Sequence, residues 1–216
     1  MPKMTGLEQR SYSFEIRAEQ AEDVGVITGR PIVYNSRTDL GFFDEVIELG
    51  ALNGADLRDV RFLVNHDISK IPLARSRNNN GNSTMQLTVD DQGMAIRVNL
   101  DVKNNSEARN LYSAIERGDI SGMSFMFAVD DEEWTELESD HPTRHIRKIS
   151  NVVEVSAVTF PAYKDTEISV RNKEALESAK LALENAKRSQ QQSLESERRS
   201  ELELAKIKFE ALLKVR

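Results

Sequence analysis

Segments in which apolar and polar residues alternate in the strand manner dominate the chain before Ser169 and give way afterwards to helical spacing. Ser11-Tyr12-Ser13-Phe14-Glu15-Ile16-Arg17 has the period of two that marks a half-buried strand, and Val24 to Tyr34 forms a second candidate interrupted by Pro31. Arg61-Phe62-Leu63-Val64 is a short apolar strand leading to His66. The polar cluster Asn78-Asn79-Asn80-Gly81-Asn82-Ser83 separates Ile71-Pro72-Leu73-Ala74 from a strand at Met85 to Val89, and Asp90-Asp91-Gln92-Gly93 has the composition of a hairpin turn into Met94 to Leu100.

The period then changes. Asn105 or Ser106 can cap a helix whose apolar residues Ala108, Leu111, Tyr112 and Ile115 fall at helical spacing, and Gly118 stops it. Ser121 to Val129 returns to strand alternation, with Met123, Phe125 and Phe127 on one face and Ser124, Met126 and Ala128 on the other. Strands are predicted around Trp134 to Leu137, Arg144 to Ile149 and Val152 to Phe160, and the body closes near Pro161-Ala162-Tyr163.

Beyond that point the chemistry of the chain differs. The last glycine is Gly122 and the last proline Pro161. Leu176, Ala179, Leu183 and Ala186, and later Leu202, Ala205, Phe209 and Leu212, recur at three- and four-residue steps, with Ser189-Gln190-Gln191-Gln192-Ser193 between them. Two narrow apolar stripes on a polar rod suit a partner helix or the body better than an independent core. The pattern therefore predicts an α+β protein: a β-rich body over residues 1–171 with a closed or strongly curved, mainly antiparallel sheet and a few surrounding helices, then a long helical tail over 172–216.

Composition narrows the function classes. At 216 residues with 39% apolar and 30% charged residues, the chain can bury one sizeable core, and no apolar stretch approaches the ~20 residues of a membrane helix. There is no cysteine, hence no disulfide framework, and the start Met1-Pro2-Lys3-Met4-Thr5-Gly6 lacks the apolar run of a secretory signal; a cytoplasmic setting is the simplest expectation. Net charge is -7; residues 172–216 carry ten Lys/Arg against eight Asp/Glu, a balance of +2, which leaves -9 for the body. An acidic body argues against nucleic acid as partner, because neutralising phosphates requires clustered Lys and Arg.

Candidate chemistry is sparse. Histidine occurs three times. His66, in Val64-Asn65-His66-Asp67, is placed at a strand end where the backbone can hold a general base, although a hydrogen-bonded edge histidine has the same pattern. His141 and His145 flank Pro142 in a charged connection, and their spacing lacks the close ligand pairs of zinc motifs, so no metal and no cofactor are expected. Ser121 and Ser124, in Ser121-Gly122-Met123-Ser124-Phe125, follow the helix stop directly, and a serine near a histidine base is the minimum for an activated hydroxyl. No Gly-x-Ser-x-Gly elbow, phosphate loop or dinucleotide fingerprint is present. Glu154 interrupts the apolar run that ends in Phe160-Pro161-Ala162; it can orient a histidine or face water at a sheet edge.

Taken together, Asn65-His66-Asp67 with Pro72-Leu73-Ala74-Arg75, Gly118-Asp119-Ile120-Ser121-Gly122-Met123-Ser124-Phe125, and Glu154-Val155-Ser156-Ala157-Val158-Thr159-Phe160-Pro161-Ala162 resemble the caudoviral prohead protease family, which is related to herpesvirus assemblins. Phe43 to Leu52 is similar to an early strand and turn of that family, and the likeness runs in order from about residue 11 to 165. The resemblance implies a serine endopeptidase with His66 as general base, Ser124 as nucleophile, Ser121 in reserve, and Glu154 as third member, with His145 as the alternative since assemblins use a second histidine. Met126 departs from the glycine that relatives commonly carry there.

By the same resemblance the partner is the phage major capsid protein, whose scaffolding segment the enzyme cleaves, along with itself, inside the assembling procapsid in the host cytoplasm. The dimer-activated assemblins leave a homo-oligomer open. The tail stripes alone suit a different class equally well, a non-catalytic scaffold or assembly protein that keeps the protease-like fold.

Overall fold

A computed structural model describes residues 7–12, 16–21, 24–159 and 170–213. In chain order the elements are β1 (Leu7–Tyr12), β2 (Arg17–Ala21), β3 (Val24–Val33), β4 (Arg37–Asp39), β5 (Asp44–Ile47), β6 (Asp59–Val64), β7 (Ala74–Arg77), β8 (Met85–Asp90), β9 (Gly93–Leu100), α1 (Ser106–Glu116), β10 (Gly122–Thr135), β11 (Thr143–Val158) and α2 (Val170–Leu213). Ser11 and Arg17 thus fall in different strands, and the expected closure of the body at Pro161 to Tyr163 lies outside the described residues.

The strands form two open sheets, which corrects the expectation of a closed or strongly curved one. The larger runs β1-β10-β11-β5-β4, with β6 also on β11 and β7 on β6; the smaller is β2-β3-β9-β8. Among the described residues neither returns to its first strand, so β1, β4 and β7 are edges of one and β2 and β8 of the other. Alternation specifies which face of a strand is buried, but it is silent on which strands share a sheet. Most pairs are antiparallel, yet β5 and β6 both lie parallel to β11, at Thr143–Ile146 and Glu154–Ala157.

Two long strands hold the larger sheet together. The strands expected separately around 121–129 and 134–137 are one in β10 (Gly122–Thr135), and those around 144–149 and 152–160 are one in β11 (Thr143–Val158), Phe160 lying outside the described residues. Register shifts disguise that continuity in the sequence. At one of them Met126 opposes Glu154 while Phe127 opposes Val152, so Val153 is the extra residue of a bulge. The bulge changes the alternation: Val152, Val155 and Ala157 all enter the core, while Glu154 and Ser156 face the other side.

One apolar cluster joins both sheets, with Phe62, Phe125 and Val155 from the larger, Ile27, Ile96 and Val98 from the smaller, and Ala108, Leu111, Tyr112 and Ile115 from α1. The α1 helix begins where its cap permits, the Asn105 side chain accepting from the main-chain N–H groups of Glu107 and Ala108, and it ends before Gly118 at φ +79°. The chain divides into two compact units at Ala175 and Leu176. The second unit belongs to α2, a 44-residue helix on which Leu181, Leu194, Leu202, Leu204 and Ile207 are each more than half exposed. Among the described residues no helix is long and apolar enough to cross a membrane.

Candidate active site

The site begins in the turn that follows β6. Asn65 and His66 adopt left-handed backbone, at φ +51° and +57°, a region that Asn and His enter more readily than most residues. The turn is fastened to β11 at successive points. The Asn65 N–H donates to the Ala157 carbonyl (2.9 Å), and its side chain accepts from the Thr159 N–H (2.9 Å) and donates to Thr159 Oγ1 (3.1 Å). The His66 N–H donates to Ser156 Oγ (3.1 Å). Asp67, by contrast, serves the turn itself, accepting from the N–H of Ser69.

These ties bring the imidazole against β11. Nδ1 of His66 meets Oε1 of Glu154 at 2.6 Å, and Oε2 of the same carboxylate accepts from the Ser156 hydroxyl at 2.6 Å. His66 is 4% exposed and Glu154 1%. A carboxylate can only accept from a neutral imidazole, so this contact places the ring proton on Nδ1 and leaves Nε2, which is also buried, as the basic nitrogen.

Ser124 lies on the same face of the sheet. It pairs with Ser156 on one side and Ser11 on the other, while Met126, two residues on, stands opposite Glu154. Its hydroxyl is fully buried and donates to the main-chain carbonyl of Arg10 in β1 at 2.7 Å. Ser121 is exposed, immediately before β10. His145 is elsewhere: Nε2 contacts Thr135 Oγ1 and Nδ1 faces Glu48, and it stands nine positions before Glu154 along β11, roughly 30 Å of extended chain. Of the two candidates for the third position, the structure brings Glu154 to His66. The remaining histidine, His141, sits with Asp44 and Asp39; Arg37, 3.2 Å from Asp44, already supplies a cation there.

Sequence reasoning missed the anchorage of β1. Arg10 and Arg144 are buried among Glu8, Glu45 and Glu132, with Arg10 Nη2 2.6 Å from both Glu8 and Glu45 and Arg144 Nη1 2.6 Å from Glu8. Arg144 also binds Glu132. Burial pushes the Glu8 carboxyl up, but the guanidinium groups of Arg144 and Arg10 outweigh it and hold the group below its ordinary value. The same opposition raises both arginines despite their burial. The network joins β1 to β5, β10 and β11 and so holds the Arg10 carbonyl at Ser124. Period-two alternation of Glu8 and Arg10 signals a shared face, but nothing local identifies Glu45 and Arg144 as their partners. Ser156 was missed too, although its position two residues after Glu154 puts both on one face.

A cleft of about 360 Å³ adjoins the His66 turn, lined by Val64, Asp67, Lys70, Ile71, Leu111 and Ile120 among others.

The prohead protease of enterobacteria phage HK97 is 28% identical over 149 residues, covering 67% of this chain and 59% of that protein, so the match spans about three fifths of its relative's length. Among solved structures, the bacteriophage T4 capsid assembly protease, gp21, aligns with a TM-score of 0.35 at 11% identity, over 70% of this chain and 98% of that one. The profile of the caudovirus prohead serine proteases matches residues 12–180, more than three quarters of the sequence. On that match the chain belongs to the caudovirus prohead serine protease family.

Proposed function

We propose that this chain is a serine endopeptidase of phage procapsid maturation, cleaving the scaffolding segment of the major capsid protein and itself. The observation that carries this reading is the buried 2.6 Å contact between His66 Nδ1 and Glu154 on the sheet face that also bears Ser124, in a member of a serine protease family. Glu154 holds the imidazole with Nε2 as base and stabilises the imidazolium that forms when it takes a proton.

The reaction runs in two halves. Ser124 Oγ leaves the Arg10 carbonyl, gives its proton to His66 Nε2 and attacks the scissile carbonyl carbon. The tetrahedral intermediate collapses with that proton passing to the departing amine, leaving an acyl-enzyme. Water, deprotonated by His66, then attacks the ester and restores Ser124. The cleft beside the His66 turn gives room for a substrate side chain. The exposed leucines and isoleucine of α2 suit docking to a helical scaffold segment, which would deliver the enzyme into the shell.

The test is co-production with the phage's major capsid protein, followed by intact-mass measurement. A shortened capsid protein is expected with the natural sequence and is expected to be absent with Ser124→Ala and with His66→Ala. Cleavage that persists in both variants overturns the assignment, and a capsid protein left whole by the natural sequence returns the chain to a scaffold role.

A further inference from the structure

Ser156 is out of character with its strand. It is 0% exposed and lies between Val155 and Ala157 in a run that is buried from Glu154 to Val158. A hydroxyl in such a place is unfavourable unless its proton and lone pairs find partners. Both find them in the same two residues: Oγ donates to Glu154 Oε2 at 2.6 Å and accepts from the His66 N–H at 3.1 Å. Because Glu154 Oε1 also takes the His66 imidazole, three hydrogen bonds close a ring through main chain, hydroxyl, carboxylate and Nδ1.

The ring has a mechanical meaning. An imidazole is aimed by two side-chain torsions, and tethering His66 at its main-chain nitrogen to the Ser156 hydroxyl and at Nδ1 to the carboxylate that this hydroxyl binds constrains both. The N–H anchored by Ser156 belongs to a residue in left-handed backbone, where an unanchored turn would relax most easily. Ser156 also lies on the Nδ1 side of the ring. A nucleophile must reach Nε2, so this serine has the geometry of a support and not of a second nucleophile.

We propose that Ser156 is a positioning residue, whose hydroxyl binds the His66 backbone and the Glu154 carboxylate into one unit and so aims Nε2 of the imidazole. Its link to catalysis rests on the reading of His66 and Ser124 given above. Its structural half, control of the His66–Glu154 contact, stands apart from that reading.

Two measurements on the full-length chain separate the halves. In proton NMR, the hydrogen between His66 Nδ1 and Glu154 is expected far downfield in the natural protein and in Ser156→Thr, which keeps a hydroxyl, and broadened or lost in Ser156→Ala. Reaction with a fluorophosphonate, in which Ser124 Oγ displaces fluoride, gives kinact and KI. Ser156→Ala should lower kinact roughly 10- to 100-fold, the scale of one hydrogen bond to a charged group, with KI unchanged within about twofold. Ser156→Thr should recover most of the rate, and Ser76→Ala, a change at another fully buried serine, should leave kinact unaltered.

An unchanged downfield proton together with an unchanged kinact in Ser156→Ala overturns the proposal, as does an equal loss in Ser76→Ala. If Ser124→Ala reacts as fast as the natural chain, the nucleophile assignment has failed, and the NMR comparison still decides the role of Ser156. Should Ser156→Thr unfold, thermal denaturation will reveal it, and the Ser156→Ala and Ser76→Ala pair carries the decision.

Discussion

The Ser124 hydroxyl donates its hydrogen bond to the Arg10 carbonyl, 2.7 Å away on the neighbouring strand. Its proton is thus committed to β1 in this conformation, and a catalytic serine must release it before turning to the imidazole. Ser124→Ala should separate the two roles. Cleavage is expected to fall by roughly 10⁴-fold or more, while folding stability changes by only about 1 kcal/mol, the net contribution of one buried hydrogen bond. Capsid-protein processing measured beside chemical denaturation checks both numbers.

Glu154→Gln keeps the shape of the site but offers an amide in place of a carboxylate, which can stabilise the wrong imidazole tautomer and cannot balance an imidazolium. A loss of roughly 10³- to 10⁴-fold in turnover is expected. His145→Ala, whose contacts are with Thr135 and Glu48, should leave turnover within about twofold. Assaying the two variants side by side decides which residue acts as third member.

Acid should loosen β1. The folded pKa of Glu8 lies below its ordinary 4.5, so the folded state binds this proton less readily than the unfolded chain does. The resulting stabilisation is whole above that ordinary value and drains away as pH falls through 4.5 towards the depressed value. Glu8→Gln removes one partner of a buried ion network and should cost about 3 kcal/mol at neutral pH, with a shallower decline in acid than the natural chain. Denaturation midpoints across a pH series test the sign.

Gly93→Ala should damage the smaller sheet. Its φ of +134° is poorly accessible to other residues, and an added Cβ would stand 2.0 Å from the Ile32 carbonyl oxygen, a main-chain atom that cannot swing aside. A destabilisation of at least ~2 kcal/mol is expected, read from thermal unfolding.

A chain ending at Arg171 tests the delivery role of the tail. If α2 carries the enzyme into the shell, procapsids assembled with the shortened chain will contain less of it than those assembled with the full one. Equal packaging would assign the tail to another task.

The sequence was most legible where structure depends on near neighbours. Asn105, the spacing of Ala108, Leu111, Tyr112 and Ile115, and Gly118 together delimit α1, and the turn residues at Asp90 to Gly93 lead into β9 as the alternation suggests. Legibility failed where the answer lies in distant partners. Two open sheets and a closed one give the same alternation, and the register shift at Ser150, between Ile149 and Asn151, made one long strand look like two. At the site, motif positions identified His66, Ser124 and Glu154 as candidates, but the contact of Ser124 with Arg10 spans 114 residues. That of His66 with Glu154 spans 88. Neither separation leaves a local trace.

The order of the strands along the chain has a consequence for a ribosome making this protein. His66 is synthesised well before Ser124, and Glu154 with Ser156 follow only when β11 is nearly complete; β1, the first of the described strands, finds its partner β10 only after that strand emerges. Pairings that wait for so much chain form late, and in the larger sheet these are β1 with β10 and β5 and β6 with β11. A chain that stops before Glu154 lacks the carboxylate that meets the imidazole. The enzyme so proposed would become competent only once β11 has been made and paired, a timing set by topology.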